Sequence, residues 1–121
     1  MAKPLVLDWG TCGKDQHWCD LEHLTLPLKN NQEGVYIIWI DSDPPATVRV
    51  GQGDISDRLA NHRKDKKILD CLGDGQTLRV TWATAPKSQW DGIEAYLEKS
   101  LNPLVGERFP DADPIPVVLP F

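Results

Sequence analysis

The apolar periodicity of this chain predicts an α+β fold with the element order β-β-α-β-α. Three observations predict it. Two β-rich runs flank a loop of turn-forming residues between positions 34 and 51. The period changes from two to about 3.6 directly afterwards. A third alternating run is then followed by a second helical stripe.

The first run is Gly34-Val35-Tyr36-Ile37-Ile38-Trp39-Ile40 and the second is Ala46-Thr47-Val48-Arg49-Val50-Gly51, with Asp41-Ser42-Asp43-Pro44-Pro45 between them. Proline cannot continue a ladder, so the turn belongs at Pro44 and Pro45 and the runs form a hairpin. Val35, Ile37 and Trp39 alternate with Ile38 and Ile40, so the first strand is apolar on both faces. Such a strand is expected at the centre of a sheet, covered on both sides. Asp54 is then placed as an N-cap, with Asp57 three residues on, and Ile55, Leu59, His62, Lys66 and Leu69 follow as one helix stripe. Gly73 and Gly75 mark a loop. Leu78, Val80 and Trp82 share one face of a third strand whose other face is polar, and Pro86 blocks its extension. Ser88 is expected to cap a second helix, supported by Asp91, with Trp90, Glu94, Leu97 and Leu101 as its stripe beside Ile93. Asn102-Pro103 ends it.

Residues 1–33 read as an N-terminal extension with weak signals. Leu5-Val6-Leu7 fits a short strand or a packed lead-in. Leu21-Glu22-His23-Leu24 fits a helical turn that stops before Pro27, and the polar run Asn30-Asn31-Gln32-Glu33 fits a loop. Cys12, His17, Cys19 and His23 fall close together, which invites a zinc reading. Their spacing matches no common finger, and solvated or packed side chains are the competing expectation. At the other end, Pro110, Pro114, Pro116 and Pro120 keep residues 110–121 extended, lying over the sheet or against a partner.

The chain has 121 residues, enough for one domain with a real core, here about residues 34–109. Apolar residues make up 40% and charged residues 26%, which excludes a disordered chain, and no apolar run reaches membrane-spanning length. The start lacks a signal-peptide apolar segment, so a cytoplasmic location is expected. Three cysteines, an odd number, agree with a reducing compartment and with Cys12, Cys19 and Cys71 as free thiols without zinc. The net charge of −5 argues against a general nucleic-acid binder. Against it stands a local basic run, Arg58, Arg63, Lys64, Lys66 and Lys67 with only Asp65 opposing, which is either a solvated helix face or a phosphate-attracting patch. Glu94 lies on the apolar stripe of its helix. A carboxylate there is costly unless paired at the stripe's edge or bound to a cation.

The hairpin resembles the core of the GIY-YIG nuclease family. Gly34-Val35-Tyr36 stands for the first triplet, with Val in place of Ile, and Arg49-Val50-Gly51 stands for the second, with Arg in place of Tyr. Arg58 and His62 fall one turn apart where the family carries its Arg and often a His. Glu94 falls where it carries its metal-binding Glu, and Asn102 where it carries its Asn. The resemblance implies a three-stranded antiparallel sheet flanked by helices and hydrolysis of a phosphodiester with Mg²⁺ (or Mn²⁺). It implies Glu94 as metal ligand, Tyr36 as general base with its pKa lowered by the metal and Arg58, Arg58 as phosphate clamp, His62 as proton shuttle or phosphate contact, and Asn102 as a brace. Arg49 would bind phosphate together with Arg63, Lys64, Lys66 and Lys67, or else repel the metal or pair with Glu94. The implied partner is nucleic acid, DNA ahead of RNA, with a protein partner supplying specificity. A non-catalytic binding domain of the same fold is the alternative. A third reading is an interaction or metal module built on the Cys/His cluster and the Pro-rich tail.

Overall fold

The computed structural model describes residues 3–29, 32–106 and 111–121. The expected loop at Asn30 and Asn31, the core limit at Phe109 and the start of the tail at Pro110 lie outside them. The order of elements is β1 (Cys19–Asp20), β2 (Glu33–Ile40), β3 (Ala46–Asp54), α1 (Ile55–His62), α2 (Lys66–Leu69), β4 (Leu78–Thr84) and α3 (Lys87–Leu101). The fold is α+β. Its sheet has four antiparallel strands in the order β1-β4-β2-β3, one more than expected. The extra strand, β1, has two residues, too few to leave a period in the sequence.

β2 is central, as its two apolar faces require. Tyr36, Ile38 and Ile40 face a core shared with Ile55 and Leu59 of α1 and Ile68 of α2. Val35, Ile37 and Trp39 face a core shared with Ile93 and Leu97 of α3 and Val117 of the tail. The polar face of β4 is not solvated: Thr81 is fully buried, and its Oγ1 donates to Gly10 O at 2.7 Å. The hairpin turn falls at Pro44 and Pro45, between β2 and β3.

Asp54 caps α1, its Oδ1 accepting from Asp57 N at 3.1 Å. The stripe read as one helix is split. Asp65 adopts an extended backbone and accepts from Lys67 N at 2.9 Å, so it starts α2 instead of continuing α1. Lys66 is exposed and Leu69 is 42% exposed, so neither extends the buried face of α1. Ser88 does not cap α3. That helix begins at Lys87 after Pro86, without a side-chain cap, because the proline already sets the turn. It ends at Asn102 in the left-handed conformation (φ 49°), whose N–H donates to Glu98 O, and Pro103 stops it there. The chain then runs against the edge of β3, with Leu104 N on Thr47 O and Val105 N on Val48 O. No helix among the described residues is long and apolar enough to cross a membrane.

Residues 10–21 form a strap along the free edge of β4. Gly10 N donates to Trp82 O, Cys19 pairs with Val80, and Leu21 N donates to Leu78 O. Within the strap Cys12 and His17 form a two-residue antiparallel bridge. This reversal brings Cys19 back to Cys12, and the two are joined in a disulfide with 5.1 Å between Cα atoms. The expectation of three free thiols is therefore wrong for two of them. Cysteine count cannot see a turn that returns the chain on itself, and the reducing-compartment argument built on that count falls with it. Cys71 is free, its thiol on Lys67 O at 3.4 Å.

Candidate active site

Tyr36 lies opposite Gly51 across the β2–β3 ladder. The phenol occupies the space above that glycine: a Cβ at position 51 would lie 2.2 Å from the Tyr36 Oη. The phenol oxygen meets Nε2 of His62, from the last turn of α1, at 2.5 Å. Both side chains are buried. Two groups able to exchange a proton thus share one short hydrogen bond in a site of low polarity.

Arg49 stands beside this pair. The register slips between Ile38 and Trp39, so that Arg49 faces Ile38 while Thr47 faces Trp39, leaving Val48 as the bulge residue. Arg49 shares the α1 side of the sheet with Ile38, stands close enough to the phenol to act on its charge, and lines an open cleft of about 560 Å³ with Asp65, Lys67 and the backbone after α3. Its Nε is buried without a hydrogen-bond partner. An orphan guanidinium nitrogen is costly, and an anion in the cleft would satisfy it.

Burial, followed by the positive charge of Arg49, holds the His62 pKa down to about 4, so the imidazole is neutral at pH 7. Burial also pushes the Tyr36 phenol above its usual range, and the hydrogen bond and charge of Arg49 and the charge of Arg58 offset only part of this. The expectation that nearby cations lower the phenol pKa does not hold for the protein alone, because desolvation outweighs them. Arg49 can only donate. With His62 neutral, the phenol donates to its Nε2 and turns its lone pairs to the nearby guanidinium of Arg49.

Glu94 projects from α3 and is 8% exposed. Its Oε2 accepts from Gln52 Nε2 at 2.9 Å, and the same amide nitrogen donates to Asp91 Oδ1 at 2.7 Å. Both hydrogens of the Gln52 amide are thus used by the two carboxylates. Burial raises the Glu94 pKa, the Gln52 hydrogen bond opposes it, and Asp91 adds to it. Among the described residues no cation pairs with Glu94, so Arg49 does not occupy the carboxylate in the way one sequence expectation allowed. Among the described residues Glu94 Oε1 has no hydrogen-bond partner, and it is not among the buried atoms left unpaired. A half-bonded carboxylate with a second carboxylate one turn away suits a hard divalent cation that keeps most of its water. Among the described residues, Glu94 would hold it, with Asp91 beside it.

Arg58 is exposed on α1, its Nε 3.0 Å from where a Cβ would stand on Gly53. Its charge reaches Tyr36, His62 and Glu94 alike. The fold therefore gathers Tyr36, Arg49, Arg58, His62 and Glu94 within electrostatic range. Asn102 is exposed at the end of α3 and its side chain makes no hydrogen bond with these residues. Of the basic run, Lys64, Lys66 and Lys67 are exposed, whereas Arg63 is committed to the fold. Arg63 Nε donates to Leu21 O at 3.0 Å and its Nη2 to Leu24 O, which ties the strap's exit to α1. Gln52 and the pairing of Asp91 with Glu94 were not read as site features. The three-residue separation of the two acids on one helix was the available signal. Compared with protein families, with curated proteins and with solved structures, the chain matches none of them.

Proposed function

We propose that the protein is a divalent-metal-dependent endonuclease of the GIY-YIG type, hydrolysing phosphodiester bonds in nucleic acid, with DNA the preferred substrate. The observation that supports it best is the buried Tyr36–His62 pair, seated on Gly51 and flanked by Arg49, within reach of the charge of Glu94. Phosphodiester hydrolysis needs a water stripped of its proton, neutralisation of the phosphate, and help for the leaving oxygen. Arg58 and Arg49 receive the phosphate by their planar forks, and the orphan Nε of Arg49 gains its missing acceptor. The water's proton passes to the phenol oxygen as the phenol passes its own to Nε2 of His62, so that His62, neutral beforehand, ends as the proton store. Glu94 would hold Mg²⁺, which would supply charge neutralisation at the phosphate. Lys64 and Lys66 extend the contact along the backbone.

The test is a gel assay of purified protein on duplex, branched and single-stranded DNA and on RNA, with Mg²⁺ or Mn²⁺ and with chelator. Metal-dependent cutting that the chelator stops is expected. A protein that binds these nucleic acids without cutting any of them supports the second reading, a non-catalytic domain of this fold. What favours that reading is Arg49 at the place of the family's second tyrosine, since a guanidinium cannot exchange protons at neutral pH.

A further inference from the structure

We propose that the side-chain amide of Gln52 is a switch built into the cation site: its NH₂ group stands in for the cation between Asp91 and Glu94, and when a divalent cation binds, the amide turns over and offers Oε1 as a further ligand. Gln52 lies on β3, an edge strand, opposite Val35 and so on the side of the sheet that α3 covers. Its Nε2 is 2.7 Å from Asp91 Oδ1 and 2.9 Å from Glu94 Oε2. Two carboxylates from one helix thus converge on a single point, and an amide nitrogen holds that point. The proposal rests on Glu94 as a cation ligand and not on the reaction the cation would serve.

The donor inventory fixes the direction of the amide. Ionised carboxylates only accept, so the nitrogen end must face them. Its two N–H groups offset part of the repulsion between the acids, which the burial of Glu94 would otherwise make costly. A cation at the same point would do the same. The other end of the amide is uncommitted: Gln52 Oε1 has no hydrogen-bond partner among the described residues, and the side chain is only half-buried. Glu94, by contrast, is 8% exposed, and its Oε1 also lacks a hydrogen-bond partner among the described residues. The point is therefore flanked by a carboxylate that its surroundings hold in place, with one oxygen unused, and by an amide whose oxygen nothing retains.

A half-turn about the last side-chain bond exchanges the two ends of the amide. With NH₂ toward Asp91 and Glu94, the acids are balanced without a metal. With Oε1 there, three acceptors face one another, an arrangement stable only around a cation. Rotation and binding are therefore one event. Hard divalent cations accept amide carbonyl oxygens as well as carboxylates, and Mg²⁺ is held by one or two carboxylates while it keeps several waters. Two carboxylates match the charge of one such cation. A neutral third oxygen adds a bond without the extra negative charge that would repel a phosphate.

The experiment uses the full chain without nucleic acid. Mn²⁺ binding is read by loss of the free-ion EPR signal, and the Gln52 side-chain amide is followed by NMR during a Mg²⁺ titration. One Mn²⁺ per chain is expected, displaced by Mg²⁺. Gln52→Leu keeps the bulk but removes both ends of the amide, and it should weaken Mn²⁺ by about 10- to 100-fold. Gln52→Glu keeps the shape and adds a charged oxygen. It should tighten Mn²⁺ by about tenfold or more and lower the thermal midpoint in chelator, where three acids then meet without a donor. In the parent, the two amide protons should be protected from solvent exchange in chelator and lose that protection as Mg²⁺ saturates. Undiminished Mn²⁺ affinity in Gln52→Leu would reduce the amide to a structural donor and overturn the proposal. Amide protons that stay protected in saturating Mg²⁺ would overturn it too, a result that the unsubstituted protein gives even where a variant fails to fold. A parent that binds no Mn²⁺ would overturn both the switch and Glu94 as a ligand. Binding that depends on Gln52, in a protein that cuts no nucleic acid, would uphold the switch while the endonuclease reading fails.

Discussion

The α1 face of the sheet and the N-terminal strap hold comparable sets of titratable side chains, and they are built in opposite ways. On the α1 face, regular elements do the placing. Tyr36 comes from a central strand, Arg49 from its neighbour and His62 from α1, with exposed Arg58 on the same helix, while Glu94 stands on α3 across the sheet, bonded to Gln52. Tyr36, His62 and Glu94 are buried, and desolvation moves their pKa values: His62 down to about 4, Tyr36 and Glu94 upward. In the strap, a covalent bond and a two-residue bridge do the placing, and the histidines are exposed and held by local aspartates. A buried polar group acquires altered reactivity because it cannot be solvated. An exposed one takes its direction from a partner. The first kind of site suits acid–base chemistry.

The sharpest way to break the comparison on the catalytic side is Glu94→Gln. Gln keeps the shape and still meets Gln52, but it removes the charge that would hold Mg²⁺. Cleavage should fall by about 10²–10³-fold, the order found when a preorganised electrostatic group is removed. The thermal midpoint should stay the same or rise, because a buried carboxylate with a raised pKa is lost. Cutting at the parent rate would remove Glu94 from the site, and unfolding would make it a structural group.

The same contrast governs what the sequence could reveal. The central strand, the hairpin turn, the Asp54 cap and the Asn102 stop were legible because each rests on a local rule of period, proline or capping. Tyr36, His62 and Glu94 could be placed on their elements for the same reason. The strap was illegible. Neither the Cys12–Cys19 bond nor β1 repeats a pattern, since both arise where a short turn meets a sheet edge distant in sequence. The break between α1 and α2 was misread because Asp65 competes with the helix by capping a new one, while the apolar stripe runs through unbroken. The role of Arg63 was hidden for another reason: charge alone does not distinguish a phosphate contact from a bond to Leu21 and Leu24 carbonyls. Nor could spacing show that desolvation would outweigh nearby cations at Tyr36, because that depends on how completely β2 is covered.

Gly51→Ala tests whether the phenol's seat is as specific as the geometry suggests. The added Cβ would lie 2.2 Å from Tyr36 Oη and 2.4 Å from its Cζ, inside a covered sheet where the ring has little room to retreat. Such overpacking costs about 1–3 kcal/mol, readable as a lowered denaturation midpoint. The tyrosine should also lose its contact with His62, so cleavage should fall even at temperatures where the variant is folded. An unchanged midpoint would mean that the phenol moves freely, and the paired-proton arrangement would not stand.

His62 gives a pH signature. Its folded pKa of about 4 lies below the ordinary value of 6.5, so between these values the unfolded chain binds more protons at this position than the native one. The native state therefore loses stability as pH falls from 6.5 toward 4, and the loss is complete near 4. In His62→Gln this part of the pH dependence should disappear, leaving the contribution of the carboxylates. Denaturation midpoints of the parent and His62→Gln across this range decide it: parallel curves would show that His62 is not held neutral by its surroundings.

The smallest expected effect is the most specific, and it concerns Arg49. Its Nε is buried without a partner, its charge lowers the His62 pKa, and it does not pair with Glu94. If it clamps a phosphate, Arg49→Ala should weaken nucleic-acid binding evenly across sequences and reduce the salt slope by about one counterion. The same variant should raise the His62 pKa, since a cation beside the imidazole is gone, and this shift can be followed by NMR without any nucleic acid present. The two readouts separate two roles for one side chain. A raised His62 pKa with an unchanged salt slope would leave Arg49 as a group that keeps the imidazole neutral and touches no phosphate. A reduced slope with an unmoved pKa would make it a clamp only. Arg49→Tyr completes the series. Because Glu94 is not held by Arg49, replacing the guanidinium has no carboxylate to release. A gain of cutting in that variant would therefore have to come from the phenol's own proton chemistry, not from a metal site set free.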